Sequence, residues 1–205
     1  MGLQPRVCLP RITSAPDFNA LARRYDWPIL CDASCTFTYL KLRELLALWR
    51  ELAAVGNIPY RREMTARRLQ PYLKAIAIYE RVDGEDGFPR YRVRFMGSDV
   101  VSLTGELTGK FLDEVIPQTF LPRWCAMNEV TLGYAGPLRL LIRCDTFGNG
   151  YIVAEHLNVP LRAEDGTMNL ILSAGYFDRT HAWTEAEALE YQRLGMPWTQ
   201  VPPGG

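Results

Sequence analysis

Apolar side chains recur at helical spacing between residues 38 and 55. Leu42, Leu45, Leu46, Trp49, Leu52 and Ala53 share one stripe, with Lys41, Arg43, Glu44, Arg50 and Glu51 mostly off it. That pattern predicts an amphipathic helix, ended by Gly56-Asn57 and the following Pro59. From Leu73 to Val82 the period drops to two. Ala75, Ala77 and Tyr79 alternate with Ile76, Ile78 and Glu80, and two largely apolar faces predict a central strand. Asp83-Gly84-Glu85-Asp86-Gly87 has turn chemistry. Tyr91, Val93 and Phe95 then alternate with Arg90, Arg92 and Arg94, which predicts a half-solvated strand closing a hairpin.

Residues 97–117 carry mixed helical and turn signals, with Gly97-Ser98-Asp99, Gly105, Gly109 and a closing Pro117. A helix is expected from Phe120 to Leu132, with Phe120, Trp124, Met127 and Thr131 near one face. Three strands follow, over 137–146, 151–161 and 167–177, separated by Phe147-Gly148-Asn149-Gly150 and Glu164-Asp165-Gly166. A last helix is expected from Glu185 to Leu194, with Thr184 and Glu187 as a capping box and Gly195 ending it. The prolines at 5, 10, 16 and 28 make residues 1–36 read as an irregular arm with a short helix over Asp17 to Tyr25. The organisation expected is an arm (1–36), a domain with its leading helix (37–178), and a C-terminal helix and tail (179–205). Strands in two groups around a block of helices indicate an α+β fold, a five-stranded antiparallel sheet with helices on one face plus N-terminal and C-terminal helices.

This two-plus-three strand order resembles the PAS fold. The likeness extends to particular residues. Tyr91-Arg92-Val93-Arg94-Phe95-Met96-Gly97-Ser98, followed by Gly105-x-x-x-Gly109, together with Leu48-Trp49 and Ile58-Pro59 upstream, is similar to a bacterial family of stand-alone PAS-like domains. Most members of that family have no assigned biochemistry. The resemblance covers about residues 38 to 178 and implies a sensory or interaction module.

Charge narrows the partners. Twenty-three Lys and Arg balance twenty-three Asp and Glu, so no basic footprint argues for nucleic acid. Arg61, Arg62, Arg67 and Arg68 form the densest basic group and read as a solvated helix face. No apolar run approaches a membrane span. No secretory signal precedes the five cysteines, Cys8, Cys31, Cys35, Cys125 and Cys144. A cytoplasmic protein with free thiols is therefore expected.

Candidate chemistry is sparse. His156 suits haem iron chemically, but haem-binding PAS domains usually place the ligand on the helix before the third strand, and no histidine lies between 120 and 132. A light-sensing PAS domain uses a cysteine within Asn-Cys-Arg beside flavin, whereas this chain has Trp124-Cys125-Ala126. Haem and flavin are both disfavoured on these grounds, and no cofactor is expected. Cys31-x-x-x-Cys35 has only Cys8 near it in sequence, short of the four ligands of a zinc site. Gly105-x-x-x-Gly109-Lys110 has the wrong spacing for a phosphate loop. His181 reads as a loop residue, Asp113-Glu114 as dipole complements at a helix start, and no catalytic residue is assigned.

What remains is an apolar pocket lined by Phe95, Met96, Leu103, Phe111, Trp124, Met127, Ile142, Cys144, Val153 and Leu172, with Leu112 nearby. Arg94, Tyr134, Asn158 and Tyr176 are the polar groups that could orient a ligand there. The expected occupant is a small hydrophobic molecule, or the module engages a signalling protein, with a homodimer through helix 38–55 as a further expectation. Two alternatives stand beside this. An enzyme would need a convergent acid–base pair and would be favoured by His156 with Glu155 or Asp145 inside the pocket, and a ligand-free adaptor would be favoured by a filled interior.

Overall fold

The computed structural model describes residues 11–53, 57–84, 87–178 and 182–195. Its centre is a six-stranded, wholly antiparallel sheet in the order β1-β4-β5-β6-β2-β3. The strands are β1 (Ile29–Asp32), β2 (Ile76–Asp83), β3 (Pro89–Met96), β4 (Leu138–Arg143), β5 (Val153–Leu161) and β6 (Leu170–Asp178). The helices are α1 (Ala15–Arg24), α2 (Leu40–Ala53), α3 (Ala66–Leu69), α4 (Ser98–Thr104), α5 (Leu112–Val115), α6 (Leu121–Tyr134) and α7 (Trp183–Arg193). A 3-10 turn at Leu73–Ala75 leads into β2.

The sixth strand corrects the reading of residues 1–36 as irregular. Ile29–Asp32 pairs with β4 from Ile29↔Ile142 to Asp32↔Arg139. Four residues are too short to show a period, which is why the pattern hid this strand. The helix ahead of it starts earlier than expected, at Ala15, with Ser14 as its N-cap accepting from the Asp17 amide. Asn19 of α1 then covers the outer edge of β1. Its Nδ2 donates to the Cys31 carbonyl at 2.8 Å and its Oδ1 accepts from the Cys31 amide at 2.7 Å. At the opposite edge, the Val93 amide donates to Lys110 and the Gly109 amide to Val93. Both edges are thereby blunted against pairing with another strand.

Helices cover both faces of the sheet, not one. On the first face α2 buries Leu42, Leu45, Leu46 and Trp49 against Ile76, Ile78, Leu157, Val159, Leu172 and Ala174. The Trp49 indole also donates to the Pro160 carbonyl at 3.0 Å. The stripe expected to pair two copies is therefore committed to the sheet. Tyr191 of α7 packs on the same face, with Leu30, Leu141 and Val153. On the second face lie α1, α4, α5 and α6, over Ala77, Tyr79, Tyr91, Val93, Leu138, Leu140 and Ile171.

At the C-terminus the expected capping box is absent. Helix α7 begins a residue ahead of Thr184, with Ala182 at the N-cap and no side-chain cap bond. Gly195 follows it at φ 64°, consistent with its expected role in ending the helix. Cys8, His181 and the 196–205 tail lie outside the described residues. Among the described residues, no helix is long and apolar enough to cross a membrane.

Candidate functional site

On the second face a cavity of about 90 Å³ lies between the sheet and helices α4 and α6. The period of each strand decides its floor. Ala77 and Tyr79 of β2, Leu140 and Ile142 of β4, His156 and Asn158 of β5, and Ser173, Gly175 and Phe177 of β6 all point the same way. The roof comes from Val100, Leu103 and Thr104 on α4 and from Arg123, Trp124, Met127 and Asn128 on α6. Cys144, Thr146, Phe147 and Asn149, in the connection after β4, close one end.

That connection is pinned at several points. Arg123, buried, donates to Asp145 at 2.5 Å and to Thr146 Oγ1 at 2.8 Å. The Trp124 indole reaches the same hydroxyl at 3.1 Å. Asn149 Nδ2 donates to the Leu103 carbonyl at 3.0 Å. The Phe147 ring meets Trp124 edge-on, centroids 6.4 Å apart. Burial pushes the Asp145 carboxyl up, and the hydrogen bond and charge of Arg123 outweigh it, so its pKa falls below the usual value.

The floor is polar at the β5–β6 boundary. His156 Nδ1 sits 3.2 Å from Ser173 Oγ, and its ring lies over Gly175, its cross-strand partner. A Cβ on residue 175 would stand 2.5 Å from His156 Cε1, so glycine makes the room the imidazole occupies. Burial lowers the His156 pKa to about 4, and the ring is neutral near pH 7. A histidine depressed in the fold contributes its full stability above the unfolded value of about 6.5. That stability is lost as pH falls from there toward 4. The urea midpoint is therefore expected to drop between pH 7 and pH 5, and His156→Gln to flatten that drop. Equal slopes for the two proteins would show that His156 is not the titrating group.

Of the ten residues expected to line a pocket, Leu103, Trp124, Met127, Ile142 and Cys144 meet at this cavity. Phe95, Leu172 and Val153 do not, because they lie on the first face: Phe95 and Leu172 with the α2 core, and Val153 beneath α7. Phe95 is turned by a bulge: β2 steps from Ile78↔Phe95 to Tyr79↔Val93, leaving Arg94 as an extra residue that reverses the alternation. Met96 is on the cavity side but packs at the β3 edge with Leu107 and Leu112. Phe111 lies beneath the Arg90 guanidinium, 3.8 Å from its centroid.

Among the polar candidates only Asn158 reaches the cavity. Arg94 pairs with Glu80, Tyr176 stacks on Tyr39, and Tyr134 is exposed. Cys125 lies instead in a wider cleft of about 590 Å³ between the β2–β3 hairpin, α5 and α6. Polar groups there hold one another: Arg90 pairs with Asp113 at 2.9 Å, and the Tyr91 hydroxyl donates to Glu129. Desolvation raises both thiols, Cys125 and Cys144, to about 12.

Sequence reasoning missed Tyr79, Asn128, Phe147, Ser173 and Gly175. The usable signal was polarity at every second position of otherwise apolar strands: His156 and Asn158 in one, Ser173 and Gly175 in its neighbour. The enzyme alternative finds His156 in the cavity without its partners. Glu155 points to the first face, bound to Arg139 at 2.5 Å, and Asp145 is held by Arg123.

The chain has a PAS-like α+β fold. No family model matches it, and no curated protein does. Solved structures do. A light-oxygen-voltage domain described with a flavin analogue is 14% identical over 63% of this chain and 93% of its own, with a TM-score of 0.39. The blue-light photoreceptor Aureochrome1 LOV in its light state is 13% identical over 62% of this chain and 97% of its own, TM-score 0.36. An RNA-binding light-oxygen-voltage receptor is 15% identical over 69% of this chain and 41% of its own, TM-score 0.37. At this distance the likeness concerns the fold alone. One of these proteins is named with a flavin analogue, against the expectation that flavin is disfavoured. In this fold Cys125, the cysteine weighed for that role, lies off the central cavity and Cys144 lies on it.

Proposed function

We propose that this chain is a PAS-type sensory module, not an enzyme, that holds a small molecule in the cavity between sheet and helices and reports it to a signalling protein partner. The observation that carries this reading is the cavity itself: largely apolar walls enclosing buried polar atoms without partners, Asn158 Oδ1 and Arg123 Nε, among the described residues. Each such atom costs about 1–3 kcal/mol when left unpaired, which a molecule held in the cavity would relieve.

A route outward supports the same reading. Leu140 and His156 face the cavity, while their neighbours Arg139 and Glu155 face the other way. There Glu155 accepts from the Thr38 and Tyr39 amides just ahead of α2. Arg139 binds Glu190 of α7 at 2.8 Å. A shift of β4 against β5 on ligand binding would bear on both helices, which is how a population shift reaches a partner.

Native mass spectrometry with small-molecule extraction tests the reading. A co-purifying compound is expected, lost when Leu103→Trp fills the cavity from α4. A protein that carries no compound, and whose melting temperature no member of a metabolite panel raises, overturns it.

A further inference from the structure

We infer that the cavity selects a neutral, single-ring compound that donates one hydrogen bond to Asn158 Oδ1; this rests on the reading that the cavity binds a small molecule. Asn158 is 4% exposed. Its amide is oriented by its neighbour. Thr131 Oγ1 donates its only proton to the Met127 carbonyl at 2.8 Å, so toward Asn158 it can only accept. Asn158 Nδ2 accordingly faces Thr131 at 3.4 Å, and Oδ1 is left buried without a donor among the described residues. A ligand that supplies one recovers what that oxygen lost on leaving water.

The walls set the rest of the chemistry. Among the described residues no Asp or Glu lines the cavity, so a cationic ligand meets no counter-charge from its walls. The Arg123 charge is answered by Asp145, Arg143 at the cavity's end pairs with the same carboxylate and keeps 40% of its side chain in solvent, and His156 beside Asn158 is neutral. Trp124, Phe147 and Phe177 supply aromatic surface. The volume, about 90 Å³, is below the roughly 150 Å³ that admits benzene. A five-membered ring therefore needs a wall to yield, and Met127, unbranched and adaptable, is the residue that can do so.

Pyrrole and furan make the test, being rings of one size that differ in the N–H. Ligand-observed NMR titrations on the full chain are expected to show pyrrole binding about tenfold more tightly than furan. Asn158→Leu is expected to abolish that preference while furan still binds. Equal affinities in the unaltered protein would overturn the donor inference, water already serving the carbonyl, and leave the cavity reading standing. Binding of neither ring would overturn both. The comparison in the unaltered protein needs no variant, so a poorly folded Asn158→Leu chain leaves the test intact.

Discussion

Arg139→Ala is expected to lower the melting temperature by about 10 °C. The Arg139 side chain is 4% exposed and stands among three carboxylates: Glu155 at 2.5 Å, Glu190 at 2.8 Å and Asp32 at 3.9 Å. Asp32 and Glu155 are buried. Removing one partner of such a cluster strands charge in a poorly solvated site and costs about 3–5 kcal/mol. In a chain of this size each kcal/mol moves the midpoint by about 2–4 °C. Arg193 of α7 holds Asp32 at 2.5 Å and remains in the variant, so Glu155 is the group left worst off. Arg139→Met with Glu155→Met is expected to recover part of the loss, since apolar replacement of both partners avoids the stranded charge. It cannot recover all of it, because the Thr38 and Tyr39 amides lose their acceptor.

The pH dependence has a defined sign for Asp32. Burial raises its pKa, but hydrogen bonds from Ser34 and Arg193 prevail and hold it below the usual carboxylate value. The stability it contributes is present above the unfolded pKa of about 3.9 and lost as pH falls below that. Thermal melts of parent, single and double variants at pH 7 check the series. A parental midpoint for Arg139→Ala would show that the ion cluster contributes nothing.

Much of this architecture was legible because it depends on period. The α2 stripe, the alternations of β2 through β6 and the order of elements follow from which positions are apolar. What period does not carry is the phase of one strand against the next. Leu172 and Ser173 sit on opposite faces, and only pairing with β2 and β5 decides which face receives the helices. Val153 and Leu172 were assigned to the cavity for want of that phase, and Phe95 for want of the bulge at Arg94. Strand β1 was missed for a different reason: its four residues are all buried, leaving no alternation to read. The cavity's polar floor was visible as His156 and Asn158, two residues apart, but their meeting with Ser173 and Gly175 is a property of register.

Gly97→Ala is the second variant with a large expected effect, at least about 4 kcal/mol. In the sequence Gly97 stands among the turn signals that follow the Arg90–Phe95 alternation. Turn geometry is not what requires it, for φ is −78° and ψ 159°, open to any residue. Space is the reason. A Cβ at 97 would lie 2.0 Å from the Leu73 carbonyl oxygen and 2.4 Å from that of Lys74, both backbone atoms of the turn ahead of β2. The Gly97 amide also donates to the Ile76 carbonyl at 2.8 Å, so the two segments cannot part without losing that bond. Overpacking of side chains costs typically about 1–3 kcal/mol. A clash with fixed backbone leaves no rotamer to escape into, which puts the cost above that range. Gly97 is also the N-cap of α4, which carries Val100, Leu103 and Thr104 of the cavity roof. Displacement there is expected to weaken furan and pyrrole together in any protein that still folds. Gly105→Ala provides the contrast: φ is 76° and ψ 174°, a conformation essentially reserved for glycine, with open space around it, so strain alone costs about 1–3 kcal/mol. Urea unfolding followed by circular dichroism separates them, and a Gly97→Ala loss no larger than that of Gly105→Ala would refute close approach as the reason for glycine at 97.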